Sequence, residues 1–119
     1  MDKDTALEAV RAFGAELAKL GVRPGKVVLY GSFARGDWHE WSDIDVVVVS
    51  PDFAGMEYGR RIEVTAEAIY RVYEPIEAVA MTPAEWERGD STIARFAREG
   101  EEVRTTPTGP QAGQEKEQQ

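Results

Sequence analysis

The chain is expected to fold as an α/β (α+β) domain, a small mixed β-sheet with helices packed on it. Three observations lead there. Residues 5–20, TALEAVRAFGAELAKL, place Leu7, Val10, Phe13, Leu17 and Leu20 at helical spacing. Two runs rich in β-branched residues, KVVLYG and DIDVVVVS, have the length and composition of buried strands. The segment between them, Ser32 to Ser42, is short for a parallel crossover, which takes about a dozen residues or more. The first two strands should therefore run antiparallel.

Taken in order, the first helix is expected to open on Thr5, with Glu8 three residues on as the other half of a capping box, and to stop at Gly21. VRPG is a turn, and KVVLYG, 26–31, is the first strand. SFARG can form one helical turn, and DWHEWS is a polar and aromatic loop. The second strand is DIDVVVVS, 43–50, followed by the loop PDFAGMEYG. RRIEVTAEAIYRVYE, 60–74, places Ile62, Ala66, Ile69 and Tyr73 on one face and reads as a helix. PIEAVAM, 75–81, is the third strand, and the helix before it lets it lie parallel to the second. Thr82 as cap and Pro83 at the first position open another helix, and a further helical stretch, TIARFAREG, follows Asp90-Ser91. From Thr105 the sequence TTPTGPQAGQEKEQQ holds no large apolar residue. It cannot offset its ordering entropy, so a folded domain over 1–104 and a disordered tail over 105–119 are expected.

Composition narrows the function. A chain of 119 residues fits one domain. With 22 acidic and 14 basic residues the net charge is −8, which argues against nucleic-acid binding driven by phosphate contacts and against an anionic membrane surface. Cysteine is absent, so there is neither a disulfide framework nor a thiolate metal site. No stretch approaches the ~18 apolar residues of a membrane span, the N-terminus has no signal-peptide pattern, and a cytoplasmic protein is expected.

The chemistry concentrates between residues 27 and 50. Strand side chains alternate faces, so Asp43, Asp45, Val47 and Val49 share one face of the second strand, and Glu77 shares its face with Val79 and Met81 on the third. If the two strands are neighbours, three carboxylates converge and need a cation. Oxygen-only ligands suit Mg²⁺, and two such ions ~3.5–4 Å apart are the usual device for in-line phosphoryl displacement. Gly31 lets the backbone approach a ligand closely, and Ser32 begins a helical turn whose amides can meet phosphate. A nucleoside triphosphate with its Mg²⁺ ions fits between the two halves. Neither a GxxxxGK[ST] loop nor a GxGxxG after a strand is present.

GSFARG followed by SDID, with ten residues between Gly31-Ser32 and Asp43-Ile44-Asp45, resembles the minimal nucleotidyltransferases of the DNA-polymerase-β superfamily. The resemblance spans about residues 25–81. It implies a polymerase-β-type nucleotidyltransferase fold and a Mg²⁺-dependent reaction with ATP as substrate and two ions bound. Asp43 and Asp45 would bind metal, and Gly31 and Ser32 the triphosphate, with Arg35 and Ser42 as further nucleotide contacts. Glu77 would be the third carboxylate, a metal ligand or base, where most minimal members carry Asp. Small proteins similar to this one are often encoded beside an all-helical HEPN-type nuclease and act as antitoxins, some by attaching AMP to a tyrosine of that partner. Two other readings stay open: a catalytically silent binding module that neutralises a partner by docking, and an aminoglycoside-type transferase whose acceptor pocket is completed by a homo-oligomer or a partner. Arg35 reads equally as a surface charge. Trp38 and Trp41 are candidates for stacking on a base, for contacting a partner or for simple packing, and His39 reads as a loop residue.

Overall fold

The structure, a computed structural model, describes residues 1–105. The expected tail lies outside the described residues from position 106 onward. Thr105 itself is buried against α1 (Lys3–Lys19), where a Cβ at Gly14 would fall 2.8 Å from Thr105 Oγ1.

After α1 come β1 (Lys26–Tyr30), α2 (Ser32–Arg35), β2 (Ile44–Val49) and a 3₁₀ turn over Pro51–Gly55. Then follow α3 (Tyr58–Val72), β3 (Ile76–Met81), α4 (Pro83–Arg88), α5 (Thr92–Ala97) and β4 (Glu101–Glu102). The four strands form one mixed sheet in the order β3-β2-β1-β4. β1 and β2 run antiparallel with Tyr30 opposite Asp45, and β2 and β3 run parallel with Asp45 beside Glu77. Both directions match the loop-length argument.

The register sorts the side chains onto two faces. Val27, Leu29, Ile44, Val46 and Val48 pack with Val10, Phe13 and Leu17 of α1 and with Val64 and Ala68 of α3. Val28, Val47, Val49 and Met81 point the other way, beneath Trp86 of α4 and Ala94 and Ala97 of α5. β2 is central and covered on both sides, so its run of four valines has no polar alternation over 46–49. Each such side chain contributes about 1.5–3 kcal/mol by leaving water.

Four details differ from the sequence expectation. α1 starts at Lys3, and Asp2 is its cap: Thr5 N–H donates to Asp2 Oδ1 at 2.8 Å. Asp2 stands three residues before Thr5, the spacing Thr5 itself has to Glu8, and it adds negative charge at the helix start. α3 turns a different face inward. Val64, Thr65 and Ala68 are buried, Ile69 is half-buried, and Ile62, Ala66 and Tyr73 face solvent. The helix carries apolar residues at helical spacing on both sides. In this rotation Val64 and Ala68 join the core with Ile69 and Val72 packed against it, and Arg61 pairs with Glu85 at 2.8 Å. The loop after β2 contains the 3₁₀ turn, capped by Ser50 and anchored by the buried Phe53. β4 was not expected, because two glutamates before Val103 carry no strand pattern.

The hydrogen bond from Thr5 holds the Asp2 carboxyl below its usual range. A depressed folded-state value means that the cap stabilises above the unfolded aspartate range and is lost as pH falls through the folded value. Asp2→Ala should therefore lower the thermal midpoint at pH 7, and the difference from wild type should close on acidification. Circular-dichroism melts at both pH values check this; an equal deficit at low pH would contradict it.

Candidate active site

The site forms where the helical cover on the α4–α5 face of the sheet runs out. α4 and α5 close over the Val47 and Val49 positions of β2 but stop short of Asp45, one strand repeat nearer its start. The result is a cleft of about 860 Å³. Its floor is Tyr30, Gly31, Asp43 and Asp45. One wall is the loop through Ser32, Arg35 and Ser42, and the other is the end of α5 with Glu99 and Gly100.

Gly31 explains how the two motif halves meet. It turns the chain from β1 into α2 at φ 78° and ψ −153°, a conformation that L side chains rarely adopt. A Cβ there would overlap the Asp45 carboxylate at Oδ2 and would lie 3.2 Å from its Cγ. The backbone of the Gly-Ser turn thus lies directly against the second aspartate. α2 then closes with Arg35 N–H to Gly31 O at 3.0 Å and Gly36 N–H to Ser32 O at 2.9 Å, Gly36 taking the left-handed conformation.

The electrostatics are those of an uncompensated acidic corner. Burial pushes the Asp45 carboxyl up, and the charges of Glu77 and Asp43 add to it, against a smaller opposing pull from Arg35. The Tyr30 phenol is also raised, first by burial and then by Asp45 and Glu77, so it stays protonated beside them. The Asp43, Asp45 and Glu77 expected from the sequence are thereby brought to one corner. Glu77, on the edge strand, is exposed and stands beside Asp45 rather than in the cleft lining. Among the described residues no group of three acidic or His side chains is already gathered in ligating geometry. The donor set still fits Mg²⁺: oxygen only, two carboxylates two residues apart and a third in register on the next strand.

Gly31, Ser32, Arg35 and Ser42 all line the cleft. Arg35 holds Asp37 at 3.2 Å at the mouth. Ser42 fixes the loop reciprocally: its Oγ accepts from His39 N–H at 2.9 Å, and its N–H donates to His39 O at 3.0 Å. Trp38 is a packing residue, stacked on the buried Phe33 with centroids 5.3 Å apart. That leaves Trp41, exposed and in the cleft lining, as the tryptophan a ligand can reach. His39, read as a plain loop residue, also lines the cleft, with Nδ1 accepting from Trp41 N–H at 3.2 Å. The sequence reading missed Tyr30, Phe96, Glu99 and Gly100. Tyr30 was recoverable, since antiparallel pairing around a turn at Gly31 puts it opposite Asp45; Phe96 of α5 and the Glu99-Gly100 segment after it carried no local signal.

A family model described as a nucleotidyltransferase domain matches residues 10–96, which include both motif halves and Glu77. The chain belongs to the nucleotidyltransferase domain family. The domain is also similar to two solved structures. One, from Sulfolobus solfataricus and provisionally described as a nucleotidyltransferase, is 23% identical, with a TM-score of 0.60 over 72% of this chain and 75% of that one. The other, described in the same provisional terms, is 29% identical, with a TM-score of 0.53 over 76% of this chain and 92% of that one. No curated protein matches the chain. The nucleotidyltransferase fold thus agrees with the mixed sheet and its helices. Among the described residues no helix is long and apolar enough to cross a membrane.

Proposed function

We propose that this domain transfers AMP from ATP, with Mg²⁺, to a hydroxyl group on a second molecule. The observation that carries the reading is the register that sets Asp45 beside Glu77, with Gly31 backed directly against Asp45. It joins a phosphate-approaching turn to an acidic corner that lacks its counter-charge.

Asp43 and Asp45 would hold the metal, with Glu77 completing the set from the neighbouring strand. Bound there, Mg²⁺ neutralises charge on the transferring phosphoryl group and orients the triphosphate. The residues of the chain do the rest. The Gly31-Ser32 turn would receive phosphate oxygens beside the metal, because the absent side chain at Gly31 lets the turn lie directly against the Asp45 carboxylate. Arg35 at the mouth can exchange Asp37 for the triphosphate. The acceptor oxygen attacks the α-phosphorus as the bond to the bridging oxygen breaks; pyrophosphate leaves, and the hydroxyl proton passes to Glu77 or to water. Because Glu77 is exposed at the sheet edge, the acceptor approaches from that side.

The acceptor we favour is a tyrosine of a helical, HEPN-type protein, which this domain would silence as an antitoxin. The resemblance of the Gly-Ser and Asp-x-Asp spacing supports this, as does a net charge of −8, which suits a basic protein partner. Two measurements test the proposal. Calorimetry should show ATP binding in Mg²⁺ that is lost in EDTA, and equal affinity in both would defeat the metal reading. Co-expression with a helical protein encoded next to this one should add AMP masses to it and relieve its toxicity. Protection by Asp43→Asn with no mass added would leave a binding module instead.

A further inference from the structure

The outward face of α3 is apolar along its whole length. Tyr58 is 72% exposed, Ile62 53%, Tyr70 76% and Tyr73 88%, and Ala66 is exposed between them. On a helix at 100° per residue Tyr58, Ile62, Ala66 and Tyr70 fall within about 120° of one another, a single stripe beside the buried face, and Tyr73 follows at the helix end. A patch of this kind is among the largest a soluble monomer leaves uncovered, and such patches are often functional. A second observation is independent of exposure. Tyr73 closes α3 with φ 62° and ψ 43°, and it is the one non-glycine described residue with positive φ. Helices usually place glycine at such a position because a side chain there is strained, an aromatic one especially. The Tyr73 N–H closes the helix on Ile69 O, but its ring lies in water.

We propose that this stripe is a two-fold interface with a second copy of the same chain, the two α3 helices crossing antiparallel at Ala66. The pattern is self-complementary about that residue. Ile62 lies four positions before it and Tyr70 four after; Tyr58 lies eight before and Tyr73 seven after. A two-fold axis through Ala66 therefore sets Ile62 against the other copy's Tyr70 and Tyr58 against its Tyr73, as an isologous contact requires. Ala66 at the crossing lets the backbones approach closely.

Charge favours the same occupant. α3 holds Arg60, Arg61 and Arg71 against Glu63 and Glu67, and each arginine is ion-paired within its own chain, to Glu63, Glu85 and both Glu67 and Glu16. This surface is close to neutral on a chain of net charge −8, so a second acidic copy meets little repulsion here. Three tyrosines at these exposures and half an isoleucine offer roughly 500 Å² per copy, about 1,000 Å² in total, the lower end of specific interfaces. An interface of that size is expected to be weak and to assemble only at high concentration.

Sedimentation velocity of the full chain from ~1 to ~200 μM, at low and high salt, tests this. Wild type should pass from monomer to dimer, with salt strengthening association as it screens the like charges. Tyr73→Gly should raise the thermal midpoint of the monomer by roughly 4 °C and weaken dimerisation about tenfold, two effects of opposite sign that a merely structural residue would not produce. Ile62→Glu with Tyr70→Glu should abolish the dimer and leave the monomer folded, since both side chains are exposed. A wild-type chain that stays monomeric throughout overturns the proposal. So does a dimer that survives the paired glutamates, or one that weakens with salt, as docking onto unlike charge would.

Discussion

Asp45→Asn should abolish nucleotidyl transfer while leaving the metal-free chain at least as stable as wild type. The two halves of that result have one cause. Asp45 is raised by burial and by Glu77 and Asp43, so its charged form is disfavoured in the folded state. For a raised acid the sign is clear: the folded state is penalised above the folded-state value and regains stability as pH falls towards it. Removing the charge removes the penalty, so the midpoint in EDTA should hold or rise, where a typical point change loses ~1 kcal/mol. On the proposed reading, transfer with Mg²⁺ and ATP needs the same carboxylate. Its loss should lower turnover about a thousandfold or more, ~4 kcal/mol of transition-state stabilisation. Asp43→Asn should act alike on turnover. Single-turnover assays beside melts in EDTA read both halves. A midpoint that drops sharply would make Asp45 a structural residue and remove the ground for a metal at this corner.

Gly31→Ala should be the most damaging change that alters no charged group. Two effects add. The conformation at φ 78° costs a residue with a side chain about 1–3 kcal/mol, and the new methyl overlaps Asp45. The methyl or the carboxylate must move, and misplacement of a reacting constellation by about an ångström lowers rate ~100-fold. Gly36→Ala is the control. Gly36 also has positive φ, 91°, but a Cβ there meets nothing within 4 Å. It should lose stability to a similar degree and keep its affinity for ATP and Mg²⁺. Equal loss of nucleotide binding in both variants would show that Gly31 acts through the turn alone and not through its contact with Asp45.

The parts of the fold legible in the sequence were those governed by period and length. Ser32 to Ser42 is too short for a crossover, which made β1 and β2 antiparallel, and the alternation of DIDVVVVS put Asp45 on the same face as Val47. Glu77 followed from the same parity once β3 lay beside β2. α3 defeated the reading because two apolar stripes share one helix. Periodicity finds a stripe but does not choose between stripes; the face that is buried is the one whose Val64 and Ala68 meet the sheet's core and whose Arg61 meets Glu85 twenty-four residues on. Asp2 as cap was missed because Thr5 and Glu8 form an equally regular pattern one turn later. The cleft wall from Phe96 to Gly100 was invisible for another reason: its place depends on β4, a two-residue strand with no pattern of its own.

That small strand governs the order in which a growing chain can complete itself. β4 pairs with β1 across most of the described chain, Val28 with Glu102 and Leu29 with Glu101, although the three other strands need only residues 26 to 81. Synthesis delivers the N-terminal part first. A nascent chain can therefore assemble its acidic corner while one border of the sheet is still an unpaired row of amides and carbonyls, the kind of border on which chains aggregate. Only when Glu101 and Glu102 arrive, with Lys3 and Lys26 waiting to pair with them, is that border sealed. The same strand follows directly on Glu99 and Gly100 of the cleft wall, so the pairing that protects the edge of the newborn sheet also sets one side of the cleft.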